Sequence, residues 1–233
     1  MTLCSVMIVM MALGTVTHFN EGQKTYSVIK ITDNITPSGK GDNPLWNSAQ
    51  ILTDFTYPWE KGKPLPTKFR ALHNKDWLYC LFDVKDDNVN ILQDKNDKSE
   101  VAASSRVEIF FRIDDRLTPY YGLEMDPLGR VLDYKANFHR NFDGEWSWPA
   151  GHLIIKTERR KDGYSVEVAI SKASLRALGL LKNKNLEAGL YRGNCTPKGK
   201  GDPDFKWISW VKPDSKTPDF HIPSSFGILR LED

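Results

Sequence analysis

Arg106-Val-Glu-Ile-Phe-Phe-Arg-Ile-Asp114, the turn-rich Asp115-Arg-Leu-Thr-Pro119 and Tyr120-Tyr-Gly-Leu-Glu-Met-Asp126 decide the fold. In the first run Val107, Ile109, Phe111 and Ile113 alternate with Arg106, Glu108 and Arg112. A period of two marks a strand with one face in a core. The second run repeats it, with Tyr121, Leu123 and Met125 on one side and Tyr120, Glu124 and Asp126 on the other. The segment between them turns the chain back as a hairpin. Placing Ile113 opposite Tyr121 brings Phe111 to Leu123 and Ile109 to Met125, so the two apolar faces coincide. Phe110 interrupts the polar side, beside Glu108, Arg112 and Glu124. An aromatic among charged groups suits a polar ligand such as a sugar; it also suits a partly covered sheet face.

Working outward, the flanks carry the same signal. Thr67–Leu72 and Trp77–Val84 read as strands, the second apolar on both faces and therefore central. Leu153–Thr157 and Tyr164–Ile170 flank an Arg160-Lys-Asp-Gly163 turn, and Ser171 caps a short helix that Gly179 stops. Tyr26–Thr32, Gly189–Cys195, Lys206–Val211 and Phe226–Leu231 add further strands. With no βαβ alternation, the class is all-β: an antiparallel β-sandwich, jelly-roll or immunoglobulin-like, with one short helix. Within residues 15–233 no linker divides the chain, which predicts a single domain.

A formal charge of +2 over 233 residues, with scattered basic groups, implies neither nucleic acid nor an anionic membrane as partner. The apolar, uncharged run Leu3–Leu13 is too short to span a bilayer. It fits a signal-peptide core ending at Ala12-Leu-Gly14, so residues 1–14 are expected to be removed and the protein exported to the periplasm, cell surface or medium. Cys80 and Cys195 would then be the mature cysteines, as one disulfide or as buried thiols.

Candidate chemistry is sparse. Nucleophile-elbow, zinc-helix, P-loop and dinucleotide motifs are absent from the sequence, which carries no cofactor signature. Asp83, Asp86 and Asp87 offer oxygen ligands for a structural calcium ion, or form a solvated acidic loop. Glu108, Glu124 and Asp126 contain a carboxylate pair of the kind a glycosidase needs, although any outward strand face offers acids. Met125 with a histidine would be needed for a haem-binding relative. Trp59, between Pro58 and Pro64, is either a stacking platform or a lid; Trp146 and Trp148 are either core or the wall of a cleft. Residues 93–105 read as a polar, mobile loop.

In order, Trp46 after a loop, Trp77-Leu-Tyr-Cys-Leu-Phe-Asp-Val84 before an acidic turn, Arg106-Val-Glu-Ile-Phe110, Tyr120–Gly129, Gly163–Ile170, Ile208-Ser-Trp210 and Phe220–Gly227 resemble a family 9 carbohydrate-binding module in its longer, stand-alone form. The resemblance covers residues 26–231 and implies a β-sandwich that binds a glycan or oligosaccharide, in company with glycan-degrading enzymes such as xylanases, with structural calcium known in the family. It also implies a site. The family's sugar-binding members clamp a terminal sugar between two tryptophans; here those positions hold Ala102 and Phe220, and Glu124 stands where a cleft arginine belongs. The expected ligand-binding set is therefore Phe220, stacking on the apolar face of a pyranose, with His221, Glu124, Glu108 and Arg106 for the hydroxyls, and with Trp59, Trp146 or Trp148 replacing the missing wall.

Overall fold

A computed structural model describes residues 23–198 and 202–233. The expected signal peptide lies outside the described residues.

The opening stretch forms β4 (Arg106–Arg112) and β5 (Tyr120–Met125), paired antiparallel. Phe111 faces Tyr121, Ile109 faces Leu123 and Val107 faces Met125. This register is two residues away from the expected one. Ile113 leaves the ladder for the turn, and buried Leu117 in that turn tucks under the outer face instead. A shift of two keeps every side chain on its predicted face, so the apolar stripe is unchanged.

β5 continues into β6 (Val131–Asn137) and the short β7 (Asn141–Asp143). On the other side β4 pairs with β11 (Asn185–Thr196), the longest strand, which also carries β10 (Leu181–Lys182), β12 (Asp204–Ser209) and β13 (Gly227–Leu231). The second sheet comprises β2 (Thr67–His73), β3 (Trp77–Lys85), β9 (Gly163–Ser171) and β8 (Leu153–Arg160). β3 is central there, as its two apolar faces require. β1 (Thr25–Lys30) joins the sheets: Thr25–Val28 lies along β13, and Ile29–Lys30 along β2.

Both β1 pairings are parallel, so the sandwich is mixed rather than purely antiparallel. Hydrophobic patterning places a strand's faces but carries no sign for the direction of its neighbours, and β1 is separated from β13 by nearly the whole chain.

The main core lies between the sheets. Val107, Ile109, Phe111, Leu123, Met125, Leu186, Ala188 and Leu190 pack against Phe69, Ala71, Leu78, Cys80, Phe82, Val166, Val168 and Ile170. Two smaller clusters cover the outer faces. Over the second sheet, Trp46 is buried and donates from Nε1 to Glu167 Oε1 at 2.8 Å, under a loop whose Ser38 and Gly39 amides reach Glu167 Oε2 at 2.7 and 2.6 Å. Gly39 has φ +89°, and a Cβ there would meet the Thr157 backbone at 2.5 Å, so only glycine fits. The other cluster, over the first sheet, builds the site.

Ser171 caps α1 (Lys172–Ala177), accepting from the Ser174 amide at 3.0 Å, as expected. Cys80 and Cys195 are both free and buried, which resolves the alternatives against a disulfide. Residues 94–105 are structured. The Glu100 carboxylate gathers the amides of Asp94, Lys95 and Asn96 at 2.6–2.8 Å and the Arg130 guanidinium at 2.6 Å. The expected mobile loop is thus pinned by one buried acid, a contact that polar composition does not reveal.

Candidate functional site

The outer face of β4, β5, β6 and β11 is aromatic where a solvated face would be polar. Phe110, Tyr120, Tyr134 and Tyr191 form its base, and residues 213–226 fold over it with Phe220 and Phe226 pointing down. Phe220 stacks on Tyr191 with ring centroids 4.1 Å apart and planes 12° from parallel. Tyr191 donates to the Ser225 carbonyl at 3.0 Å, tying the covering loop to β11. Beside this cap opens a cleft of about 200 Å³. That is below the roughly 300–1,000 Å³ of sites for drug-sized ligands, and matches one sugar unit.

Three charged side chains form the cleft's buried floor: Arg106, Glu108 and Glu124. Glu108 and Glu124 stand directly opposite each other on β4 and β5. The single Nε hydrogen of Arg106 goes to Glu108 Oε1 at 2.8 Å. Glu124 Oε2 lies 2.7 Å from the same nitrogen, close enough for an ion pair, but makes no hydrogen bond because that hydrogen is already directed at Glu108. Arg106 Nη1 donates to the carbonyls of Ala102 (3.0 Å) and Ser104 (3.3 Å), so the pinned 94–105 segment orients the guanidinium. Burial, and then the charge of Glu124, hold the Glu108 carboxyl well above the usual carboxylate range despite Arg106. The buried Tyr134 hydroxyl lies beside the Glu124 carboxylate without a well-formed hydrogen bond, and burial, and then the charge of Glu124, raise its pKa strongly.

The walls are aromatic. Trp207 and Phe205 on β12 stack on each other, centroids 4.7 Å apart, and the Arg106 guanidinium carbon lies 5.2 and 4.9 Å from their rings. Trp59 closes another side, half-buried, 5.2 Å from Phe220 and donating from Nε1 to the Ser215 carbonyl at 3.0 Å. The rim is His221, Asp219, Pro218 and Arg140. Asp219 accepts the His221 amide at 2.8 Å and Arg140 Nη2 at 2.9 Å, and faces His139 Nε2 at 2.8 Å. His221 Nδ1 lies 2.9 Å from the Tyr120 hydroxyl, which takes whichever role the ring proton leaves open. Burial, and then the charge of Arg140, push the His221 pKa down to about 3, so the ring is neutral at pH 7.

Of the residues singled out in the sequence, Arg106, Glu108, Glu124, Phe220, His221 and Trp59 come together here. Phe220 is 6% exposed, so its ring belongs mainly to the packing beneath the cleft and contributes an edge to its wall. Trp146 and Trp148 are elsewhere. Trp148 is buried in the main core, 6.2 Å from Phe111, with Nε1 donating to Ser174 Oγ at 3.1 Å, and Trp146 packs on Tyr121 at 5.1 Å. The Asp133 carboxylate draws this segment under the sheet edge by accepting the Trp148 amide at 2.7 Å. Trp207, Phe205 and Arg140 were missed. The first two sit at strand spacing in Phe205-Lys-Trp207, a period-two signal resembling the Trp146/Trp148 pair.

The remaining candidates do not assemble. Asp83 pairs with Arg160 at 2.5 Å, Asp86 with Arg192 at 3.0 Å and with Asn194, and Asp87 is exposed. These residues, committed to cations and amides, do not fit a calcium site. Among the described residues no group of three or more acids, histidines or cysteines is placed to hold a metal. Met125 is in the main core, on the opposite face of the sheet from His221. Glu108 and Glu124 are neighbours on one floor, both within 2.8 Å of Arg106 Nε.

Solved structures share this fold. A proposed carbohydrate-binding protein from Bacteroides uniformis superposes with a TM-score of 0.70 at 20% identity, over 91% of this chain and 100% of that one. A family 9 carbohydrate-binding module from Caldicellulosiruptor kristjanssonii in complex with glucose gives 0.59 at 17% identity, over 90% and 96%. The same organism's family 9 module in complex with cellotriose gives 0.58 at 18% identity, over 90% and 94%. No curated protein gives a significant sequence match. The family model for carbohydrate family 9 binding domain-like proteins matches residues 38–233, nearly the whole described chain, and the protein belongs to that family.

Proposed function

We propose that this protein binds a glycan non-catalytically, seating one sugar unit in the cleft between Trp207, Trp59 and the edge of Phe220. The observation that carries this reading is a buried, hydrogen-bond-hungry floor beneath half-exposed aromatic walls. A pyranose has an apolar C–H face, which an indole covers, and hydroxyls that Glu108 and Glu124 accept from and His221 and Arg106 complement. Family membership supports it, as does the glucose or cellotriose held by the two structurally similar modules.

Trp207→Ala tests the site. It removes a half-buried wall, so affinity in a glycan-array and calorimetric screen should fall at least tenfold while the melting temperature changes by only a degree or two. Phe220→Ala should act mainly on stability, lowering the melting temperature by several degrees through its lost stack on Tyr191. Unchanged glycan binding in a folded Trp207→Ala protein would move the site elsewhere.

The same reading places the protein outside the cytoplasm, beside glycan-degrading enzymes. Among the described residues no helix is long and apolar enough to cross a membrane. Protein isolated from its native host should begin near Thr15 by mass spectrometry; an intact Met1 in the cytoplasm would refute export.

A further inference from the structure

We propose that the cleft selects a sugar carrying a free amine, a hexosamine unit, over the corresponding neutral sugar, with the ammonium seated against Glu124 and Glu108. This rests on the cleft being a glycan site and specifies what it takes. Two carboxylates meet one guanidinium in the buried floor. Two of the guanidinium's nitrogens are committed elsewhere: Nε serves Glu108, and Nη1 serves two carbonyls. Glu124 Oε2 is left as a buried carboxylate oxygen held by the ion pair alone, without a well-formed hydrogen bond, and the buried Tyr134 hydroxyl beside the Glu124 carboxylate makes none either.

The groups that surround this oxygen decide what relieves it. β4 presents Arg106 and Glu108, β5 presents Glu124 and Tyr120, and β6 presents Tyr134. From the covering loop come Asp219 and neutral His221, and Asp219 already neutralises Arg140. With both glutamates ionised, the floor carries one negative charge more than positive. Burial, and then the charge of Glu124, raise the affinity of Glu108 for a proton, and a proton there offsets that excess in the apo protein.

A ligand can supply the charge instead. A sugar hydroxyl gives Glu124 a neutral-to-ion hydrogen bond. An ammonium gives an ion-to-ion bond, which adds a charge–charge attraction where solvent screens little. A uronic-acid carboxylate adds a third negative charge and is rejected.

The test is calorimetry at pH 7 with glucosamine, glucose, N-acetylglucosamine and glucuronic acid. Glucosamine should bind about tenfold tighter than glucose, through the added attraction between its ammonium and the carboxylate in a poorly screened site. N-acetylglucosamine, which keeps the nitrogen but loses its charge, should gain nothing, and glucuronic acid should bind most weakly. In a folded Glu124→Gln protein the glucosamine-to-glucose affinity ratio should collapse toward one; should that variant fail to fold, Glu108→Gln should lower the same ratio. Equal affinities for glucosamine and glucose would overturn the amine preference and leave glycan binding standing. A ratio untouched in the folded variants would overturn the proposed seat. No binding of any of the four sugars, with a blank glycan array, would remove the glycan site and this preference together.

Discussion

Phe111→Ala should destabilise the protein by about 3–5 kcal/mol, the transfer and cavity cost of removing a buried phenylalanine. Phe111 is fully buried, faces Tyr121 across the β4–β5 ladder and touches Trp148 from the segment that passes under the sheet edge. Its neighbours are held by backbone pairing on three strands, so the space cannot close easily. At this chain length each kcal/mol moves the melting temperature by roughly 2–4 °C, so the midpoint should fall by about 6–20 °C in a calorimetric scan. A change within a degree or two would mean that the inner face of this hairpin is not the centre of the core. Phe110→Ala, one residue away on the opposite face, should instead loosen the aromatic base of the cleft, since Phe110 lies 5.1 Å from His221 and 5.0 Å from Tyr191.

The contrast between these two phenylalanines shows what could be read from the chain. Alternation assigned Val107, Ile109 and Phe111 to one face and Arg106, Glu108 and Phe110 to the other, because a strand has only two faces and their parity survives a register error. Turn length decided the register, and the departure of Ile113 from the ladder had no local signal. Direction was also hidden, since β1 finds β13 and β2 by long-range packing. At the site, the polar side of the hairpin was legible because charged residues in an apolar setting need a reason. The walls were not. Trp207 and Trp148 each belong to an aromatic pair spaced by one residue; which pair lines a cleft depends on whether the segment joins a strand over the outer face or is drawn beneath it by Asp133. Nor could the sequence show that Glu100 would gather three amides and fix the segment that aims Arg106.

Arg106→Met should be the most damaging single change at the site. It removes the cation and leaves Glu108 and Glu124 facing each other, buried, at 2% and 7% exposure. Breaking one partner out of a buried ion pair costs about 3–5 kcal/mol, because a charge is left uncompensated. Methionine keeps much of the apolar stem that lies near Phe205 and Trp207, so the loss reports charge more than packing. The pH dependence separates the two. In the folded protein Glu108 has its pKa raised to about 8, above the ordinary glutamate value near 4.3 that the unfolded chain retains. A raised carboxyl binds more protons folded than unfolded across that window. Its contribution to stability is therefore complete below about pH 4.3 and lost as the pH climbs through about 8. Arg106 opposes that rise, so its removal pushes the carboxyl higher still and steepens the loss. Urea titrations of both proteins should show a large deficit for the variant at pH 8 that shrinks markedly at pH 5, where Glu108 can take up a proton in place of the guanidinium's charge. A deficit equal at both pH values would mean that the carboxylates reach solvent when Arg106 is gone, and that the floor of the cleft is not the low-dielectric, electron-rich pocket on which its preference for an ammonium depends.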